Sequence, residues 1–567
     1  MRIQSATNID AIIKDIDTAT GLSEDKYLGD NHFKIISCYF LWMMKKDPSL
    51  KTPGDLEDII TNNERHKFGH LPVSDLCGFY NVNPDKWNNL RSLLPHYTDN
   101  ELAACITESR LLDRELAWDL YRIPAGICRL IDELLEIHPG DKILEIRCGE
   151  SEYILSSQEK NKKASYVGYD DDYQALQMAS IVADVKGLTS ISFEDDFYTD
   201  GFNKVLANSF YESEGSSRNH EISSELRIAW PDFPAEASMA WKSCALALKK
   251  SGKNGRAVAL VSGGQLTLKT YQNVRKILCD NGNIEGIITL ADKTYENTGI
   301  SPYILIFGNG KKDVKFLNAE EDYAVSRTNG KRINVLTEDN VASIIKKYNS
   351  KKQVTTVSIK EIAGNDYNLN PTRYINKPSR NTKTVELGQF IKKTKRGMTL
   401  GASEMDQRIS DEPTGIKCIL PSDITNGVVM SNKYYNAEIK EKCKNVSSIG
   451  DILISKTGNP FKVAISREVC LCIGNMYIIS LDSEKICPEY VRCFLASRQG
   501  QAELNRYASG SGVIIITVEN LSKIRIPIYD DEIQEALNKK AKEIIKDIEK
   551  YYKQITDAKE EIDSLFE

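Results

Sequence analysis

The sequence predicts an α/β protein: a Rossmann-like, doubly wound sheet with a helical domain before it and a smaller, β-rich domain and long helix after it. Three observations carry this. Short apolar runs alternate with amphipathic segments between about 119 and 318, which reads as a mostly parallel sheet flanked by helices. The first 118 residues carry apolar positions at helical spacing. The last 35 residues or so carry an apolar repeat that alternates in steps of four and three, the pattern of a coiled-coil seam.

Composition sets the outer limits. The chain has 567 residues, 41% hydrophobic and 27% charged, the profile of a soluble globular protein of several domains. No apolar run reaches the ~18–20 residues needed to span a bilayer, and MRIQSATNIDAIIKDID at the start has no apolar signal core. A cytoplasmic protein without a membrane role is expected. The 13 cysteines are scattered without a CxxC pair, so reduced thiols and no metal site are expected. Net charge is −6, so any nucleic-acid surface must be local.

Five segments follow in order. Residues 1–118 read as a helical domain, with HFKIISCYFLWMMKK (32–46) and ELAACITESRLLDRELAWDLYRI (101–123) as its clearest helices. In 119–318, KILEI (142–146), SYVGY (165–169), KVLA (204–207), AVALV (257–261), GIITL (286–290) and YILIFG (303–308) read as strands. Residues 319–384 read as a polar connection with some helix, and 385–528 as a compact, mostly β domain with Gly turns. Residues 529–567 form one helix. Its seam runs Ile533, Leu537, Ala541, Ile544, Ile548, Tyr551, Ile555, Ala558, Ile562, Leu565, and it needs a partner helix from a second subunit or from this chain, the alternative being packing on its own domain.

The first strand–turn–helix, DKILEIRCGESEYIL (141–155), passes through Cys148-Gly149, where a glycine lets a nucleotide-like cofactor approach the backbone. Asp170 closes the next strand, where a carboxylate suits ribose hydroxyls. The run FNKVLANSFY (202–211) brings Asn208 and Tyr211 to a strand end with Ser209 and Phe210 between them.

These stretches resemble the amino-group DNA methyltransferases, specifically the modification subunits of type I restriction–modification systems. YRIPAGICRLIDELLEIHPGDKILEI (121–146), CGES (148–151), VLANSFY (205–211), YENTGISPYILIF (295–307) and NDYNLNPTRYI (365–375) follow the family's order. VELGQFIKKTKRG (385–397), GDILISKTG (450–458) and ITVENLSKIRIPI (516–528) resemble one target-recognition domain of a type I specificity subunit, and the final helix resembles that subunit's spacer. The resemblance implies a Rossmann-like methyltransferase fold, a C-terminal α+β target-recognition domain and a coiled-coil helix. It implies S-adenosylmethionine as cofactor where the chain is active and none where it is not, with Glu145, Gly149, Asp170 and Asp196 as cofactor-binding positions.

In the family's Asn-Pro-Pro-aromatic motif, the Asn side chain and a Pro carbonyl accept from the adenine amine while the aromatic ring stacks on the flipped base. Asn208 and Tyr211 are the matching catalytic positions, but both prolines are absent. Ser209 and Phe210 bring back two N–H donors, and Phe210 is expected to put a ring where base or cofactor should lie. In the loop, Ser151 brings a Cβ where the family has Gly, and Glu150 adds a negative charge expected to oppose the cofactor carboxylate. The expected function is a sequence-specific DNA-recognition subunit that is itself a degenerate methyltransferase. It would bind double-stranded DNA and pair with a catalytic modification subunit as a hetero-oligomer, or dimerise, through the C-terminal helix. The basic stretch 383–400, with Lys392, Lys393, Lys395 and Arg396, and a second loop with Lys456, Asn459 and Lys462, are the expected DNA contacts. Two alternatives stand beside this: an active adenine-N6 methyltransferase using Asn208 and Tyr211, and an assembly protein that needs no DNA.

Overall fold

The computed structural model of the protein describes residues 2–28, 30–62, 71–109, 122–197, 199–210, 220–295, 298–328, 331–375, 383–413, 415–436, 444–508 and 514–566. The chain divides into two compact units, Met1–Asn368 and Leu369–Glu567.

The first unit is built on a nine-stranded sheet. Its strands are β1 (Lys142–Ile146), β2 (Ser165–Tyr169), β3 (Ile191–Glu194), β4 (Lys204–Asn208), β5 (Arg256–Ser262), β6 (Ile284–Leu290), β7 (Pro302–Phe307), β8 (Asp313–Ala319) and an edge strand, Thr355–Ser358. Across the sheet the order is Thr355–Ser358, β8, β6, β7, β5, β4, β1, β2, β3. The neighbours among β1 to β5 are parallel. β7 runs antiparallel to both β5 and β6, and β8 is again parallel to β6. Strands buried on both faces read as unbroken apolar runs. β1 shows this, with every residue after Lys142 buried. The doubly wound architecture that the strand–helix alternation predicts is present.

The stretch 319–368 belongs to this unit. It holds a hairpin, Ala324–Thr328 with Lys331–Val335, the helix Glu338–Tyr348, and the edge strand that pairs with β8. β3 and Thr355–Ser358 have only four residues each, too few for alternation to register as a strand.

The helices before the sheet include Asn31–Lys46, whose Ile36, Phe40 and Leu41 are fully buried. Phe40 meets the rings of Tyr80 and Trp87 at 6.5 Å. The same helix packs on Tyr173–Val185, the helix after β2. That helix starts cleanly because the Asp172 carboxylate accepts from the Gln174 and Ala175 N–H groups. Tyr39 Oη donates to Asp184 at 3.0 Å, and the His32 ring lies buried beside Gln177.

The second unit is α+β. One antiparallel sheet runs Ile391–Arg396, Met476–Leu481, Ile452–Ser455, Val463–Ile465. A second joins Ile409–Ser410, Lys433–Tyr435, Ile416–Ile419 and Leu471–Cys472. The helices Pro488–Ala496 and Arg498–Tyr507 follow, and Thr384–Glu386 pairs with Arg525–Pro527 to close the unit. The 34-residue helix Asp531–Ser564 ends it. Among the described residues, no helix is long and apolar enough to cross a membrane.

The apolar stripe of that helix has two surroundings. Leu537 and Ala541 join the unit's own core, and Ile545 is fully buried. Glu549 pairs with Arg467 at 2.8 Å, and Tyr552 bonds Asn426. Ile544, Tyr551, Ile555, Ile562 and Leu565 are exposed, Tyr551 to 60% and Leu565 to 73%. Ile533 at the start of the helix is 51% exposed as well, so the apolar positions are divided between a covered face and an open one.

Burial pulls the His32 pKa down to about 4, against the lesser upward pull of Gln177 and nearby carboxylates. The folded value lies below the unfolded value near 6.5, so only the unfolded chain takes up this proton as pH falls between the two. Stability is therefore lost from about pH 6.5 down to about pH 4. Denaturant titrations should show the parent protein losing about 3 kcal/mol more than His32→Gln across that window, with no further divergence below it.

Candidate functional site at the carboxyl edge of the sheet

β1 pairs with β2 on one side and β4 on the other. The connection therefore reverses direction across the sheet at β1, and ligands of doubly wound sheets bind at the carboxyl edge where this happens. The reversal brings the loop Arg147–Ser151 next to the end of β4 at Asn208. Asp170 follows β2, and Asp196 follows β3 by two residues. The sheet thus gathers Glu145, Gly149, Asp170, Asp196 and Asn208 at one edge. Tyr211 lies outside the described residues.

The loop holds a demanding backbone. Arg147, Gly149 and Ser151 all have positive φ, at 64°, 52° and 62°. Gly149 meets this freely, whereas Ser151 holds a left-handed conformation that costs a non-glycine residue about 1–2 kcal/mol. The loop is tied down on both sides. Gly149 N–H donates to Asp170 Oδ2 at 2.8 Å, and Ser151 Oγ to Glu145 Oε2 at 3.3 Å. Arg147 pairs with Asp171, and Arg122 with Glu150 at 3.1 Å, both side chains largely covered. The substitution of Gly by Ser therefore leaves a turn with the geometry of a glycine loop. The charge of Glu150 is matched by Arg122, contrary to the expectation that it opposes a ligand carboxylate.

Glu145 and Asp170 are not solvated surface charges, whereas Asp196 is partly exposed. Glu145 is 1% and Asp170 8% exposed. Burial pushes the Glu145 carboxyl well above its usual range, against the Ser151 hydroxyl and the Ile154 N–H. Burial raises Asp170 as well, offset in part by Arg147 and the Gly149 N–H. Asp170 Oδ1 also accepts from the Asp172 N–H at 3.1 Å. Among the described residues each Asp170 oxygen thus accepts one hydrogen bond and keeps a lone pair for a hydroxyl. Asp196 accepts from the Phe197 N–H at 2.6 Å, and Phe197 stacks on Tyr169 with centroids 3.9 Å apart. Tyr169 ends β2 and Phe197 follows the neighbouring β3, but they lie far apart in the chain, so no local pattern marks the pair.

The residues after Asn208 are built into the fold. Ser209 N–H donates to Leu260 O at 3.1 Å, continuing the β4–β5 ladder by one rung. Its hydroxyl is buried with no hydrogen-bond partner among the described residues. Phe210 is 6% exposed and stacks on Tyr295 with centroids 4.7 Å apart and planes 23° apart. The Phe210 ring thus belongs to the core of this unit. Among the described residues, no group of three or more His, Cys, Asp or Glu side chains is placed to hold a metal.

In the second unit, Lys395 Nζ donates to Val446 O at 2.7 Å, and Lys392 pairs with Asp482 at 3.0 Å. Lys393 and Arg396 are exposed. Arg396 lies opposite Tyr477 and Ser455 opposite Met476, which puts Arg396 and Lys456 at the same end of one sheet. Asn459 accepts from Asn505 at 3.2 Å, and Lys462 Nζ donates to Ser422 O at 3.3 Å.

Two family profiles match the chain. The N-6 DNA methylase family matches residues 120–383. The type I restriction modification DNA specificity domain matches residues 379–563. The chain is a fusion of these two domains. The methylase domain is similar to the type I restriction enzyme MjaVIII methylase subunit of Methanocaldococcus jannaschii, 26% identical over 312 residues, covering 47% of this chain and 51% of the relative. The MjaVII methylase subunit of the same organism is 24% identical over 288 residues, covering 44% and 48%. The chain thus spans about half the length of the curated relatives it matches. Among solved structures, the methyltransferase subunit of a type I restriction-modification system from Streptococcus thermophilus overlaps at 17% identity with a TM-score of 0.46, covering 64% of this chain and 87% of that one.

Because Phe210 is packed on Tyr295 in the core of the methylase domain, Phe210→Ala should cost roughly 3–5 kcal/mol. Urea unfolding measures this, and a loss below about 1 kcal/mol would mean that the ring lies outside the core.

Proposed function

We propose that the chain is the DNA-recognition subunit of an adenine-N6 methyltransferase complex of restriction–modification type, that it transfers no methyl group itself, and that it pairs with a catalytic modification subunit. The observation that carries this is the fate of the two residues after Asn208. A Pro-Pro pair presents no N–H and fixes the turn that aims its carbonyl. Here Ser209 is hydrogen-bonded into the β4–β5 ladder and Phe210 is packed on Tyr295. The specificity domain supplies the reason to keep such a chain. Lys393, Arg396 and Lys456 would contact phosphates, with Lys392, Lys395, Asn459 and Lys462 around them.

A second reading, an active enzyme, is favoured by the loop. Its left-handed backbone and the Gly149–Asp170 bond are intact, Glu150 is neutralised by Arg122, and Ser209 Oγ has no partner among the described residues. In that case Glu145, Gly149, Asp170 and Asp196 would hold S-adenosylmethionine, whose sulfonium supplies the methyl group. Asn208 would accept from the target amine, and Tyr211 would stack on the flipped base.

Calorimetric titration of the purified chain with S-adenosylmethionine separates the two. No heat of binding up to millimolar ligand, together with salt-dependent enrichment of particular sequences from a random duplex pool, is the expected result. Micromolar binding with methyl transfer to adenine N6, abolished by Asn208→Ala, would establish the active enzyme instead. Absence of duplex binding would leave an assembly protein.

Pairing would run through the exposed half of the terminal helix. Ile544, Tyr551, Ile555, Ile562 and Leu565 fall on one heptad stripe and face away from their own domain. Ile555→Asp should abolish association with a second helix while leaving the melting temperature of the isolated chain nearly unchanged. Light scattering, alone and with a modification subunit, reads the outcome.

A further inference from the structure

The hairpin Ala324–Val335 is a two-stranded ribbon outside the main sheet. Its ladder sets Arg332 directly opposite Arg327, with Lys331 opposite Thr328. Like charges directly opposite in an antiparallel pair are destabilising, and an isolated ribbon has little stability to spare. Arg327, Lys331 and Arg332 are all exposed. Among the described residues, none of the three has a carboxylate within ion-pair distance, whereas Lys347 nearby is fully paired with Asp322 at 2.6 Å.

The ribbon is held firmly at its root. Asn334 N–H donates to Lys293 O at 3.0 Å, and Asn334 Nδ2 to Asp292 O at 2.8 Å. Arg129 donates to Leu336 O at 3.1 Å. A Cβ on Gly126 would stand 2.3 Å from that same carbonyl, so the helix Ala125–Leu135 and the end of the ribbon touch backbone to backbone. On the other side, Asp322 accepts from Ser343 at 3.1 Å as well as from Lys347. The acids Glu320 and Glu321 precede the ribbon, so its charge is negative at the root and positive toward the tip.

Its place in the fold gives the repulsion a use. β8 runs in the same direction as β6, β5, β4 and β1. The ribbon therefore leaves the sheet at the carboxyl edge, the edge that carries Asn208. Four strand spacings separate β8 from β4, about 19 Å at ~4.8 Å each. Five residues on each side make it roughly 17 Å long.

The geometry points to the Ala324–Val335 hairpin as a finger that grips the phosphate backbone of double-stranded DNA lying across the carboxyl edge of the methylase domain, with Arg327 and Arg332 as the contacts. Two guanidinium groups forced side by side relieve their repulsion when phosphate oxygens sit between them, and each presents donors in the fork that a phosphate accepts. Such contacts add affinity without reading sequence. This assignment rests on the proposed DNA function, and the test tells the two apart.

The full chain is titrated with a random-sequence 30-base-pair duplex over a salt series. Arg327→Gln/Arg332→Gln should lower the slope of log K against log salt by about two, near 0.9 per lost phosphate contact. It should leave the sequences enriched from a duplex pool unchanged. Its melting temperature without DNA should be no lower than that of the parent, because the opposed charges are gone. Arg327→Lys/Arg332→Lys should keep the parental slope. A Gln variant with the parental slope and affinity would overturn the finger while leaving the DNA function standing. Equal loss in both variants at unchanged slope would overturn it in favour of a structural role. A parent chain that binds no duplex at low salt would overturn the DNA function, and the finger with it.

Discussion

The pairing of β1 with both β2 and β4 is the constraint on which the methylase domain depends. One strand feeds a helix toward each side of the sheet, and the chain must leave β1 in one direction and return in the other. That reversal opens the crevice at the carboxyl edge, because no crossover helix can cover the gap between outward-winding halves. Everything with a chemical look gathers there: the Arg147–Ser151 loop, Asp170 after β2, Asp196 after β3, Asn208 at the end of β4. The burial that raises the carboxyls of Glu145 and Asp170 follows from the same topology, since both stand on or beside strands with a helix layer over each face.

Much of this is legible in the chain. Short, mostly apolar runs announce β1, β2, β4, β5, β6 and β7, because strands covered on both faces are largely apolar, with Glu145 in β1 an exception. The site positions Glu145, Gly149, Asp170 and Asn208 lie at ends of such runs and could be named before any coordinates. What stayed hidden is either short or distant. β3 and Thr355–Ser358 are too brief to show a period. The Arg122–Glu150 pair and the Phe210–Tyr295 stack join residues 28 and 85 positions apart, and nothing local marks the partners. Glu150 reads as an uncompensated charge until Arg122 is found beside it.

The terminal helix shows a different limit. Its apolar positions form one uninterrupted stripe in sequence, which suggests a single seam. In space the stripe is not one face, since Ile533 and Ile544 are exposed on either side of the covered Leu537 and Ala541. Leu537, Ala541 and Ile545 belong to the specificity domain's own core, and the later positions lie on an open face. Periodicity alone gives the existence of the stripe but not the point where it leaves its domain.

The Ser209 rung limits which residues the end of β4 can accept. A proline at 209 offers no N–H, so a strand carrying it would stop one hydrogen bond earlier against β5. With serine closing that bond and Phe210 packed against Tyr295, a proline is costly at either position. A proline placed at 209 alone would orphan the Leu260 carbonyl, and one placed at 210 alone would empty an aromatic slot in the core. Each single replacement is uphill in stability. The fold thus admits a Pro-Pro pair here only when the β5 partner and the Tyr295 contact change along with it.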